Sequence, residues 1–511
     1  MSNLLITFIL LLFFIGCGVG GEEIPTSNPI IEQNSSDDAS STISGKITYE
    51  RIQPLHSGSG TVLDRSNITN ESAKQVIVSL VDDSGSEIAL TVTDDNGEYI
   101  FTNVAKDSNL KVRVYAKMFK TNRWEVKVID NTNSDALYAI EGDMSTNRGT
   151  RNLLASSSNS QAAPFAILDS IYLAMKKVIA VDSSAVFPLL KVNWSTKNII
   201  TGTYYNGVDT IMIQGDQKGD SDEYDNHVII HEWGHFFESK FSRADSIGGS
   251  HGSGDHLDIR LAFGEGWGNA WSAIATDDPI YFDTIGSNGW NMNIETATHD
   301  TPGWFSEASI QRILYDLYDS HNEGEDNLGL GFKPIYDTLT GAQKETKAFT
   351  SLFSFITALK NENLSSANKI DDIVSSEDID IIDNIYGANR RNDNVNTKVL
   401  PIYKELSVGN SVNVCTINDY GVTNKLGIHR YVFFSLASRD NYTIVVEKSD
   451  SVSSDPDFTL FKMGTSPTKQ IAESTSSGRE SRTLNLLSGD YILDIVDANS
   501  KSSACFDVSI N

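Results

Sequence analysis

The sequence predicts a multidomain chain, an α+β unit flanked by two β-sandwich domains, and three observations lead there. At 511 residues the chain exceeds what one hydrophobic core holds. Alternating apolar residues, the period of half-buried strands, dominate residues 44–145 and return over 398–511. Between them, residues 160–395 carry most of the helical periodicity, starting with an apolar helix over 165–179, and only a few strands.

Ahead of the first strands, residues 4–15 form an apolar run too short to cross a bilayer as a stable helix, and the run stops at Gly16-Cys17. Residues 17–43 read as a disordered tether, because from Glu22 onward Ser, Asn, Asp, Glu and Pro replace periodic apolar residues. Its flexible reach is roughly 25 Å. The words Phe14-Ile15-Gly16-Cys17 resemble a bacterial lipobox. The resemblance implies a lipoprotein signal peptide over residues 1–16, cleavage before Cys17 and lipidation of its sulfur. The chain would then be exported and held by lipid at the cell envelope, on the outer membrane or the cell surface. An ordinary cleaved signal and an uncleaved anchor are the alternatives.

In the first β-rich stretch, Gln75-Val76-Ile77-Val78-Ser79-Leu80 and Lys111-Val112-Arg113-Val114-Tyr115 alternate as strands. Asp94-Asp95-Asn96-Gly97 is a turn feeding a strand through Phe101. The segment resembles the carboxypeptidase regulatory-like β-sandwich, which implies a spacing or presenting module rather than a catalyst.

The middle unit carries the chemistry. In His231-Glu232-Trp233-Gly234-His235, two histidines four apart on a helix point at one spot, with a carboxylate beside the first. Neutral imidazole nitrogens suit Zn2+, and Glu232 is placed to act as general base toward water. Val228, Ile229, Ile230, Trp233, Phe236 and Phe237 make this helix too apolar for a solvated element, so both histidines need partners. A catalytic zinc takes three protein ligands and keeps one position open. The pattern H-E-x-x-H-x-x-G-x-x-H is excluded, because Glu238 and Phe241 stand where it needs Gly and His. Glu265, near the start of a helix read over 261–271, is the favoured third ligand, since ligands sit best on rigid elements. His251 and His256, in the loop between, are its rivals. Asn269 follows Glu265 by one turn. His227, one turn before His231, is expected as a packed histidine behind the ligands, and Glu238 as a surface carboxylate.

His231-Glu232-Trp233-Gly234-His235 followed by Gly264-Glu265-Gly266-Trp267 on the next helix resembles the gluzincin zinc peptidases, and the second phrase is most similar to fungalysin-type members. The resemblance covers roughly the middle half of the chain. It implies a zincin-like α+β catalytic domain, one catalytic Zn2+ held by His231, His235 and Glu265, Glu232 as general base and proton shuttle, and a protein or peptide substrate. It further implies that residue 269 orients a zinc-binding histidine. Members usually carry an acidic residue there, and Asn269 offers an amide oxygen instead.

Acyl transfer also needs a donor for the oxyanion. His299 ranks first, followed by Arg312, Tyr315 and Tyr318 on a helix read over 305–318. Residues 204–213 read as two short strands around Asn206-Gly207, and the second is a candidate edge strand for pairing with a peptide. The acidic run over 216–225 reads as a solvated loop; it lacks EF-hand spacing, so Ca2+ is a candidate without support.

Beyond Tyr386-Gly387-Ala388 strands return. Asp455-Pro456-Asp457-Phe458-Thr459-Leu460 and Leu487-Ser488-Gly489-Asp490-Tyr491 resemble the bacterial pre-peptidase C-terminal domain, a β-sandwich often attached to secreted peptidases. With Cys17 assigned to lipid, Cys415 and Cys505 are an even pair in an exported chain and read as a disulfide, with two isolated thiols as the alternative. A formal net charge of -28 argues against nucleic acid as a partner. Together these resemblances imply a membrane-anchored, extracytoplasmic zinc endopeptidase. The reading from another class is a non-catalytic adhesin or binding lipoprotein on the same fold.

Overall fold

The computed structural model describes residues 41–104, 109–144, 149–296, 301–321, 327–391, 393–450, 453–475, 478–499 and 503–511. The expected signal peptide, Cys17, nearly all of the tether and His299 lie outside them. The chain is multidomain and β-rich, with four sheets among the described residues.

The first sheet grows from the long strand Ser41–Ser57, whose Ile43, Ile47 and Tyr49 are fully buried. It pairs antiparallel with Gly60–Ser72 and Glu98–Val104, and parallel with Leu153–Ala155. The expected tether therefore ends earlier than residue 43, because Ile43 pairs with Phe101 and enters the core. Two strands from much later, Ile280–Asp283 and Trp290–Asn293, extend this sheet beyond Gly60–Ser72.

The second sheet holds Glu87–Val92, Val76–Val81, Lys111–Lys120 and Trp124–Asp130, and continues through Leu190–Asn193 and Thr210–Met212 to Tyr204–Tyr205. Trp124–Asp130 and Leu190–Asn193 run parallel, which requires a crossover. Helix α1 (Ala163–Val181) lies in that connection. Both sheets thus run through the boundary expected between 145 and 160. The physical cause is an open edge: Trp124–Asp130 buries Trp124, Val126 and Val128, and Leu190–Asn193 completes its hydrogen bonding.

Among the described residues six further α-helices follow: α2 (Asn226–Phe241), α3 (Ile259–Thr276), α4 (Glu307–Tyr318), α5 (Phe332–Thr340), α6 (Leu352–Glu362) and α7 (Ala367–Ser375). The side chain of Asp258 accepts from Arg260 N and caps α3, so this helix starts before the expected 261. One hydrophobic core runs from Ile43 through these helices.

Near the C-terminus, a five-stranded sheet (Tyr403–Glu405, Arg430–Leu436, Gly489–Asp497, Pro456–Lys462, Thr468–Glu473) faces a four-stranded one (Ser411–Thr416, Ala504–Ile510, Asp440–Lys448, Arg479–Leu486). Val414, Phe434, Val446, Leu460, Leu493 and Phe506 fill a second core between them. Cys415 and Cys505 stand opposite each other in register and are joined by a disulfide. The unit docks on α3, where buried Arg260 reaches Asp258 at 2.9 Å and Asp494 at 3.1 Å, and lies over the rings of Phe349 and Tyr431. Among the described residues, no helix is long and apolar enough to cross a membrane.

Candidate metal centre

Helix α2 buries nearly its whole circumference, and its aromatic residues set how closely α3 approaches. Trp233 and Phe237 stack on Trp271, and Trp267 donates its indole N–H to Gly234 O at 3.1 Å. Where the helices cross there is no room for side chains. A Cβ on Gly234 would stand 3.3 Å from Gly268 Cα, and a Cβ on Gly268 would stand 2.8 Å from Cε1 of His231. On the far side of α3, a Cβ on Gly266 would meet Ile310 of α4 at 2.6 Å. The glycines around Glu265 are therefore packing requirements: one seats α4 and the other leaves space for a histidine ring.

This close crossing brings three side chains to one point. Glu265 Oε2 lies 3.2 Å from His231 Nε2 and 3.4 Å from His235 Nε2, and the two Nε2 atoms are 3.0 Å apart. Ligands at about 2.0–2.1 Å from one tetrahedral zinc stand about 3.3 Å from each other, so the spacing is that of atoms sharing an ion. The hydrogen bonding behind them agrees. Asn269 Nδ2 donates to Gln311 Oε1 at 2.9 Å, which leaves Asn269 Oδ1 to accept from His231 Nδ1 at 2.8 Å. With its proton on Nδ1, His231 turns a lone pair on Nε2 toward the centre. Burial would raise the Glu265 carboxyl, but His235 and His231 hold it well below the ordinary carboxylate range. The donor set, two imidazoles and one carboxylate, fits Zn2+ with a fourth position left over.

Glu232 faces the second sheet. Burial raises its carboxyl against the pull of His231 and His235, and its Oε2 accepts the backbone N–H of Tyr205 at 2.7 Å. The hairpin at Asn206-Gly207 forms as expected, but its outer strand is Tyr204–Tyr205; Thr210–Met212 is enclosed by Leu190–Asn193. The sheet edge is therefore the strand that touches Glu232.

The remaining candidates separate clearly. His251 Nε2 lies 3.3 Å from Glu265 Oε2, and its Nδ1 lies 2.7 Å from Glu307 Oε2, which brings a second-rank ligand candidate beside the centre. His256 is instead stacked between Phe305 and Tyr420. His227 is a packed histidine, as expected, against Tyr281 and Phe282; its Nε2 donates to the carbonyl of Asp278 at 3.1 Å rather than to a metal ligand, because α3 ends next to it. Glu238 is not a surface carboxylate: it is 2 % exposed, and burial pushes it up to about 8. Arg312 pairs with Glu377 at 2.6 Å, and Tyr318 hydrogen-bonds Asp277. Tyr315 packs against Tyr318. The acidic run is not a solvated loop either, since Asp222, Glu223 and Asp225 are all buried.

Residues 184–377 match the sequence profile of the mycolysin C-terminal domain, which relates this part of the chain to metalloproteases. No curated protein matches the chain. Among solved structures, the pre-peptidase C-terminal domain of a Bacillus anthracis collagenase is 12% identical over 21% of this chain and 94% of its own, with a TM-score of 0.18. The surface-associated copper-binding protein CorA of Methylomicrobium album BG8 is 10% identical over 21% of this chain and 96% of its own, with a TM-score of 0.17. Scores this low carry no argument about this chain.

Proposed function

We propose that the chain is an exported, lipid-anchored zinc metallopeptidase that hydrolyses peptide bonds in proteins or peptides. The observation that carries the reading is the convergence of His231, His235 and Glu265 within one ion's reach, with Glu232 beside them and an open strand edge in front. The match to a metalloprotease-related domain over the same residues supports it.

In this reading His231, His235 and Glu265 hold the ion, which when bound supplies Lewis acidity toward the scissile carbonyl and toward water. Glu232 takes a proton from the attacking water and returns it to the leaving amine. The Tyr204–Tyr205 edge offers main-chain groups to an extended peptide. His251, held by Glu307, serves as the oxyanion donor, while Arg312 and Tyr318 are engaged with Glu377 and Asp277.

The full chain purified with zinc is expected to digest casein or a peptide library. Glu232→Gln should keep one zinc and lose about 10²–10⁴-fold in kcat. Equal digestion by wild type and variant sinks the reading. For the anchor, Cys17→Ser should abolish incorporation of labelled palmitate in cells.

A further inference from the structure

The loop leading into α2 holds a second acidic group that the proposed hydrolysis does not use. Asp220 and Asp222 come from this loop and Asp283 from the end of the strand Ile280–Asp283; one carboxylate oxygen from each lies within 4.8 Å of the others. Asp222 is 3 % exposed. The Oδ1 atoms of all three are buried with no hydrogen-bond partner. Among the described residues, no ion pair joins any of them to Lys or Arg.

Three buried carboxylate oxygens that lie together without a donor repel, and a protein does not retain such an arrangement without a counter-charge. Burial pushes all three carboxyls up, Asp283 to about 6, and neighbouring carboxylates add to it: Asp216 at Asp220, Asp225 and Asp220 at Asp222, and Asp220 at Asp283. Neighbouring Asp225 is a contrast, since its Oδ2 accepts from the backbone N–H of Thr284 and its Oδ1 from the Thr284 hydroxyl. The other oxygen of Asp222 accepts from Thr203 Oγ1, so only Oδ1 is left over.

We propose that Asp220, Asp222 and Asp283 bind a calcium ion, at a site separate from the centre between α2 and α3. An all-oxygen, all-carboxylate set selects a hard divalent cation, and an irregular loop facing a strand end suits the flexible coordination of Ca2+ better than the strict octahedron of Mg2+. The ion ties the loop to the first sheet. Through Asp222 and Thr203 it also steadies the chain just before the edge strand that contacts Glu232.

The test uses the full chain, stripped of divalent metal with EDTA, desalted, reloaded with one equivalent of zinc and then titrated with CaCl2 while thermal unfolding is followed. Calcium at saturating concentration should raise Tm by on the order of 5 °C, and magnesium by less. Asp222→Asn/Asp283→Asn should lose that rise and, with repulsion removed, unfold no earlier than calcium-free, zinc-loaded wild type. The single variant Asp220→Asn, at a half-buried position, serves if the double variant fails to fold, and it should weaken the calcium midpoint at least tenfold. His231→Ala should keep the full response, which separates this site from the zinc reading. A wild type indifferent to calcium overturns the proposal. So does an unchanged titration in the aspartate variants, which would assign the effect to carboxylates elsewhere, such as Asp455, Asp457 and Glu480.

Discussion

His231 owes its orientation to a single amide. Asn269 accepts from its Nδ1 while Gln311 fixes which way the amide points. Asn269→Leu is therefore expected to weaken zinc binding about 10–100-fold in a competition titration, and Asn269→Asp to restore it. His251→Ala should leave zinc stoichiometry at one and lower kcat about 10²–10³-fold, with KM little changed. Such residues differ in how legible they are. His231, Glu232 and His235 can be read because helical spacing fixes their relation. Glu265 can be read because its helix is rigid and follows closely in sequence. The burial of Glu238 and the partner of His227 cannot, because the first depends on how closely α3 approaches at Gly264 and the second on where α3 stops. His251 was readable only as a metal ligand, since its tie to Glu307 crosses between elements distant in sequence.

At the scale of elements, the helices around the site are held by what is missing from them. Gly268→Ala forces a methyl into the ring of His231 and should reduce bound zinc below one per chain while far-UV circular dichroism stays unchanged. Gly266→Ala separates α3 from α4 and is expected to cost about 1–3 kcal/mol in denaturant unfolding. The disulfide clips together strands whose cysteines lie 90 residues apart, and Cys415→Ser/Cys505→Ser should cost about 2–5 kcal/mol, read from the unfolding of the C-terminal unit. Helices are the most legible elements, because an apolar period of 3.6 is local. Which strand of the 204–212 hairpin lies outermost is settled by a parallel partner, Leu190–Asn193, that no local pattern specifies.

Over the whole molecule, the expected three-part division survives at one end only. The first two sheets each draw strands from both sides of residue 145, and they share a core with the helices. The C-terminal unit has its own core and leans on α3 through Arg260, Asp494 and His429. Arg260→Ala leaves buried carboxylates without their cation and should cost about 3–5 kcal/mol, with new protease sensitivity ahead of Tyr403. The contact also has a pH window. Burial lowers His429, but Asp494 at 2.8 Å raises it more, so its contribution is complete below 6.5 and is lost as pH climbs through the raised value. Asp494 is opposed by burial yet held below 3.8 by Arg260 and His429, so its contribution persists above that value and fails as pH drops further. Unfolding of the C-terminal unit followed against pH should be latest between these limits.

The long strand Ser41–Ser57 bears on how such a chain can be inherited. Its partners are scattered from Gly60 to Ala155, and the sheet it founds is finished by residues near 290. A gene rearrangement that carried away the stretch coding for the first hundred residues would take half of a lattice and leave the remainder unable to close. Recombination can therefore trade the tail of this lineage for another tail, whereas its head and middle must descend together.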